Sequence, residues 1–382
     1  MPHRICSLLS GLLICSLPVL AVAEDRLWTG AVSNDVTNAG NWDLGLPTGA
    51  DRANFRADGS PGAPDLGANN VTWDQLRFNN IGPTHIQGAG VINLNAGSNP
   101  AVYSEGGAVG PSVVDPDIVT AGEIQSNGDH DLVFNGSVTA GGIQAFSSTS
   151  TYNGDVTVTA EFISANSTII FNGNYHRSTA VAGIGINNSG SDVTFTTLSS
   201  DDPLHPNGAN ILNLYGNHTI RNGQNNTFND SRPWGRNGTT NTYSLNGFDD
   251  TVPFIGTDNG STMVIDFGTP GVANSLIWQE GGFNGTGAAY LVEGFDVGLD
   301  SLRLGVSAPF ADTQLTQITV NGIAYSADDP MTGAAYWSLD GNNFVQVLQG
   351  GVPEPSASTL LLLALAGSTR RRSPRGGHRR SC

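Results

Sequence analysis

Carboxylates come in close pairs along this chain, at Asp115-Pro116-Asp117, Asp129-His130-Asp131, Asp201-Asp202, Asp249-Asp250 and Asp328-Asp329. Such spacing could do two kinds of chemistry. Acids paired on loops can contribute to the roughly six to eight oxygens that Ca²⁺ requires, and a carboxylate pair across a groove can act as acid and base in breaking a glycosidic bond. None of the pairs lies in an EF-hand loop or a Gly-Gly-x-Gly-x-Asp ladder. Aspartate is also a common turn residue, so the plainer reading of each is a solvated turn. The sequence calls for no cofactor, and Ca²⁺ is the one ion these pairs could take without a specific motif.

Cations to face such acids are few. His176-Arg177 follows a repeat corner, and Arg221, Arg232 and Arg236 fall close together. They could line a polysaccharide groove, or they could brace acidic loops through salt bridges; the second reading is the simpler. His85, His205 and His218 are scattered without the spacing of a zinc site. There is no Gly-x-Ser-x-Gly elbow, and without any lysine there is no lysine-bearing phosphate loop. No catalytic or metal-binding residue is assigned. A non-enzymatic structural protein is the first expectation, and a secreted polysaccharide-binding or polysaccharide-degrading protein is the alternative.

The elements that would position these residues are β-strands. Fifty glycines, many Asn, Ser and Thr residues, and no period-3.6 apolar stripe outside the termini argue against helices. Short β-prone runs such as Val91-Ile92-Asn93-Leu94, Val156-Thr157-Val158 and Thr168-Ile169-Ile170-Phe171 alternate with Gly/Asn/Asp turns. Phe134-Asn135-Gly136, Tyr152-Asn153-Gly154 and Phe171-Asn172-Gly173 recur after eighteen and then nineteen residues. Fainter echoes follow at Phe195, Tyr215-Gly216-Asn217 and Phe228-Asn229-Asp230. This spacing predicts the coils of a parallel β-solenoid, with aromatic over aromatic, Asn over Asn, and Gly giving a positive φ at each corner. A run of Asn-Gly hairpins is the competing form, but independent hairpins have no reason to keep a constant period. Trp28 and Asn41-Trp42, across a Gly/Asn-rich loop, predict an N-terminal cap over the open end of the stack; an exposed aromatic platform for a sugar ring is the alternative.

The two ends read as addresses. Met1 to Arg4, the apolar Leu8 to Leu20 and the small-x-small Ala21-Val22-Ala23 form a secretory signal peptide over residues 1–23. All three cysteines, Cys6, Cys15 and Cys382, sit in the terminal segments, so the body has no disulfide and no cysteine metal site. Between Glu24 and Val352 nine arginines stand against thirty-two carboxylates, a net charge of −23, beyond the −17 of the whole chain. Such a surface repels nucleic acid and anionic lipid. The predicted organisation is a β-solenoid with its cap over 24–242, a β unit or last solenoid coils over 243–350, and a sorting segment over 352–382.

That last segment carries Val352-Pro353-Glu354-Pro355-Ser356, the apolar Thr359 to Gly367, and Arg370-Arg371-Arg372 with further arginines behind them. It resembles the PEP-CTERM sorting signal. Leu302 to Gly305, Leu315 to Ile318 and Leu339 to Val345 are similar to the strand pattern that often precedes this signal in autotransporter-like bacterial β-solenoid proteins. The resemblance implies export to the cell surface or extracellular matrix through the inner membrane of a Gram-negative-type bacterium. It also implies an exosortase-type processing enzyme as partner, cleavage near Pro-Glu-Pro, and exopolysaccharide or other surface proteins as further partners. The apolar run of nine residues makes a helix of ~14 Å, shorter than a hydrocarbon core of ~30 Å. A short C-terminal apolar helix inserted transiently, with its arginines towards the cytoplasm, is therefore expected rather than a permanent anchor.

Overall fold

The computed structural model describes residues 23–56, 63–79, 83–95, 100–106, 110–160, 162–178, 184–187, 190–200, 210–280, 286–296, 299–308, 310, 312–324, 335–339 and 345–349. Most of the segment expected to be a signal peptide, including Ala21, and all of the expected sorting segment, with Val352 to Ser356, the apolar run and Arg370 to Arg372, lie outside the described residues; Ala23 is the first residue inside them. The chain is an all-β parallel β-solenoid of about ten turns, with essentially no helix among the described residues. No helix among the described residues is long and apolar enough to cross a membrane.

The chain divides into two compact units, residues 1–179 and 180–382. In the first, one column of parallel strands runs Asp25–Leu27, Arg52–Phe55, Gln75–Asn79, Val102–Glu105, Glu123–Asn127, Gly142–Phe146 and Phe162–Ala165. Each coil then turns through a second column (His85–Ile86, Ser112–Val114, Leu132–Phe134, Thr149–Tyr152) and a third (Val71–Trp73, Val91–Leu94, Asp117–Thr120, Val138–Ala140, Val156–Val158). The longer strand Thr168–Arg177 continues both of these columns. Alternate residues face inward. In Glu123–Asn127, Ile124 and Ser126 are buried while their neighbours are half-exposed, which is the period-2 signature of a strand with one dry face.

The repeat is explained by this geometry. Phe134 lies in register with Tyr152, and Tyr152 with Phe171. Their rings stack at centroid distances of 5.0 and 5.1 Å and are buried. Such pairs contribute about 0.5–1.5 kcal/mol beyond their area. Burial pushes the Tyr152 and Tyr175 phenols well above the ordinary range, so both stay neutral. At the adjoining corner Asn172 Nδ2 donates to Asn153 Oδ1 at 2.7 Å, Asn153 Nδ2 to Asn135 Oδ1 at 2.7 Å, and Asn135 Nδ2 to Asp115 Oδ1 at 2.6 Å. Every amide points its donor the same way, and a carboxylate receives the last one. The pairing is parallel throughout, so the hairpin form is excluded for this repeat.

Two expectations are corrected. The positive φ foreseen for the corner glycines is absent from Gly136, Gly154 and Gly173. A Cβ on Gly154 would lie 2.5 Å from the Gly136 carbonyl oxygen, and one on Gly173 2.3 Å from that of Gly154. Glycine is required there because successive backbones touch, not because the turn is left-handed. The echo at Tyr215 is no core aromatic either. The residue is 38% exposed, whereas Phe195 and Phe228 are buried and meet edge to face at 6.0 Å.

In the second unit the coils lengthen. Register partners such as Asp192 and Thr219, or Tyr290 and Ile318, are 27 and 28 residues apart, against 18 for Val138 and Val156 in the first unit. One parallel column runs Asp192–Ser200, Thr219–Asn222, Thr240–Ser244, Thr262–Asp266, Ala289–Glu293 and Ile318–Val320, passing position 243 without a break. Beside it lie Ile184–Asn187, Asn210–Leu214, Ser231–Gly235 and Gly256–Thr257. A further column, Asp250–Val252, Ser275–Glu280 and Ser301–Ala308, closes with the antiparallel pair Val345–Gln349 and Ala335–Leu339.

Gly154→Ala is expected to lower the unfolding free energy by about 3 kcal/mol, because the methyl group meets fixed backbone. Gly128→Ala, at φ +63° with open space around the new Cβ, should cost only about 1–2 kcal/mol of backbone strain. Urea unfolding midpoints of the two variants measure this, and an equal or reversed order would contradict the close-approach explanation.

Candidate functional site

The acids and cations singled out above are dispersed by the fold, and most hold coils together. Asp115 accepts from Asn135 and sits 2.8 Å from His85 Nε2 on the preceding coil. Asp117 Oδ1 accepts the Ser137 N–H at 2.7 Å, and Asp131 Oδ1 the Thr149 N–H at 2.8 Å. His130 is buried with its Nε2 2.9 Å from Ser112 Oγ, and burial lowers its pKa, so it is neutral near pH 7. Asp129 and Asp131 border a shallow recess of about 310 Å³ with Ser147, Ser148, Thr149, Asn166 and Thr168. Asp201-Asp202, Asp328-Asp329 and His205 lie outside the described residues.

Asp249 and Asp250, adjacent in sequence, have opposite surroundings. Asp249 is exposed and accepts the Ser275 N–H at 2.7 Å. Asp250 is 2% exposed. Its Oδ2 accepts from Tyr243 Oη at 2.7 Å, Asn222 Nδ2 at 3.0 Å and Phe228 N–H at 3.2 Å, and its Oδ1 accepts the Thr251 N–H at 2.8 Å. Loss of hydration raises its pKa, and these four donors oppose the rise only in part. The pair is thus one turn acid and one buried core acid, and the two do not form an acid–base couple over a groove.

The arginines separate in the same way. Arg221 forms a fork with Asp192, its Nε and Nη2 each 2.7 Å from a carboxylate oxygen, and this hydrogen bonding raises its pKa further. Arg232 reaches Glu280 at 3.5 Å. Arg236 binds Asp258 at 2.9 Å and Asn213 at 2.7 Å, and its guanidinium lies 4.5 Å over the Trp234 ring. Each cation has its own acid on another coil, so the three do not converge, as the bracing alternative requires. Arg177 and His218 are buried, and His176 lies in register with Thr157 on the neighbouring coil.

Trp28 and Trp42 are also buried, their rings 5.2 Å apart and edge-on, within a cluster that includes Phe55 and Trp73. Trp42 Nε1 donates to the Val36 carbonyl at 2.9 Å. The buried Asn41 accepts from the Val32 and Ser33 N–H groups and donates to Ser33 Oγ and the Asp35 carbonyl. Neither indole presents a free face, so this loop offers no sugar platform.

The surface feature that sequence reading missed is a recess of about 440 Å³ in the second unit, lined by Arg221, Ser244, Asn246, Asp266, Thr269 and Val272 among others. Arg221, Ser244 and Asp266 occupy one register position on three successive coils. The signal existed as spacings of 23 and 22 residues, but only knowledge of the local coil length would have revealed it. Among the described residues, no three His, Cys, Asp or Glu side chains come together as a metal site. No family model, curated protein or solved structure matches the chain.

Asp250 supplies a measurable pH dependence. Its native pKa lies above the ordinary 3.8, so on acidification the native state takes up this proton before the unfolded chain does. Its contribution to stability is full below the unfolded value and is lost as pH rises through the native value. In urea unfolding from about pH 4 to about pH 7, the wild type should lose stability relative to Asp250→Asn. An unchanged difference across that range would show that the carboxylate is ionised throughout.

Proposed function

We propose that this chain is an exported structural or adhesion protein of the bacterial surface or extracellular matrix, whose product is the solenoid itself. The observation that carries this reading is the use made of the polar side chains. The corner ladder Asp115–Asn135–Asn153–Asn172 and the separate pairs Arg221–Asp192, Arg232–Glu280 and Arg236–Asp258 join one coil to another. Residues that could have formed a reactive centre are spent on rigidity. In this reading Trp28, Trp42, Phe55 and Trp73 act as the cap that keeps the first coils from exposing a hydrophobic cross-section.

Delivery follows from the ends of the sequence. The leader directs secretion, with cleavage after Ala23. The short apolar run after Pro353-Glu354-Pro355 enters the inner membrane transiently, Arg370 to Arg372 stay on the cytoplasmic side, and an exosortase-type enzyme detaches the body. The acidic, thiol-free product is soluble outside the cell and available to exopolysaccharide or to other surface proteins, while its charge disfavours nucleic acid.

Mass spectrometry of the protein recovered from the cell surface or medium tests this. The mature species should begin at Glu24 and end near Pro355, without the arginine tail. A surface protein that retains Cys382 would overturn the processing scheme.

A further inference from the structure

The recess at Arg221 is built for a ligand in ways the scaffold role does not require. Its lining is held in place by the coils beneath it. Arg221 is fixed by the Asp192 fork. Asp266 is fixed by Ser244 Oγ on one oxygen at 2.9 Å and by the Gly268 N–H on the other at 2.8 Å. Asn246, in the left-handed region at φ 53°, is tied through Nδ2 to the Asn222 carbonyl at 3.0 Å. Hydrogen-bonding capacity remains after these contacts. Among the described residues Nη1 of Arg221 has no partner, the Asn246 Oδ1 is a free acceptor, and each Asp266 oxygen keeps a second lone pair. Thr269 adds an exposed hydroxyl, and Val272, 44% exposed, adds an apolar wall. Preorganised donors and acceptors beside a small apolar surface are the make-up of a small-molecule site.

The charges select the ligand class. One guanidinium faces Asp192 and Asp266, and Glu293 follows Asp266 in register on the next coil. The acids outnumber the cation, so an anionic ligand is repelled. A cationic ligand would have to lie against Arg221. Hydroxyl groups both donate and accept, and carry no charge. We infer that this recess binds a neutral saccharide, such as a terminal or internal hexose unit of a surface glycan. This goes beyond the structural role and does not depend on how the C-terminus is processed. No aromatic ring lines the recess, so single-site binding is weak, and arrays of the protein on a polymeric glycan would gain strength by avidity.

The test is a ligand-observed NMR titration of the full secreted chain with maltose, cellobiose, lactose and the N-acetylglucosamine disaccharide, alongside digalacturonate and diglucosamine as charged comparators. Saturable binding of at least one neutral disaccharide, at least tenfold weaker or undetectable for both charged ones, is expected. Thr269→Trp fills the recess from an exposed position and leaves the Arg221–Asp192 and Asp266–Ser244 contacts in place. It should abolish that binding while leaving the thermal unfolding midpoint unchanged, and Arg221→Ala should weaken binding at least tenfold. The inference is overturned by absence of saturable binding across the neutral panel, by preferential binding of a charged disaccharide, or by neutral-sugar binding that survives Thr269→Trp.

Discussion

Parallel coils stacked in register make every residue a neighbour of its equivalent one turn away, about 4.8 Å along the stack. Side chains are therefore chosen for how they meet copies of themselves. Aromatic rings stack well at this separation, as Phe134, Tyr152 and Phe171 do. Carboxamides do so too, because each carries both a donor and an acceptor. Glycine is forced wherever two backbones come closer than a Cβ allows, as at Gly136, Gly154 and Gly173. The same constraint orients the Asn ladder in one direction and sets Asp115 at its accepting end.

That constraint acts hardest on charge. Two carboxylates stacked at coil spacing repel by about 1 kcal/mol in water and several-fold more where water is partly excluded. A body with a net charge of −23 cannot place aspartates over one another freely. The repeated corner uses the neutral amides Asn135, Asn153 and Asn172 instead. Asp192 in its column has Arg221 beside it, and Asp266, which Glu293 follows in register, has donors in Ser244 and Gly268. Arg221, Arg232 and Arg236 thus each tie a separate acid, while Arg52 and Arg77 share Asp25. The recess at Arg221 arises where such a tie lies at the surface with part of its hydrogen-bonding capacity unspent.

The solenoid and the strand class were legible in the amino-acid sequence because Phe/Tyr-Asn-Gly recurs at nearly constant spacing, and each of its three residues answers the stacking constraint. The reason for the glycine was not legible. Positive φ and close backbone approach both select Gly, and only coordinates separate them. The recess was hidden for a related reason. Its residues Arg221, Ser244 and Asp266 belong to coils whose length varies from 22 to 28 residues, so no fixed period connects them. Asp249 and Asp250 look equivalent as neighbours, yet Asp249 lies exposed in the loop and Asp250 opens a strand with its side chain buried beside Tyr243.

By itself, then, the sequence determined the β class, the stacked repeat, and the acidic, cysteine-free character of residues 24–352. These depend on composition and on local spacing, which are present in the chain before it folds. The tertiary structure alone decided which acid meets which arginine, which aspartate is buried, that Trp28 and Trp42 are not exposed, and where a recess opens. Those outcomes depend on coil length and register, and a shift of one residue in either would turn each of these side chains to the opposite face.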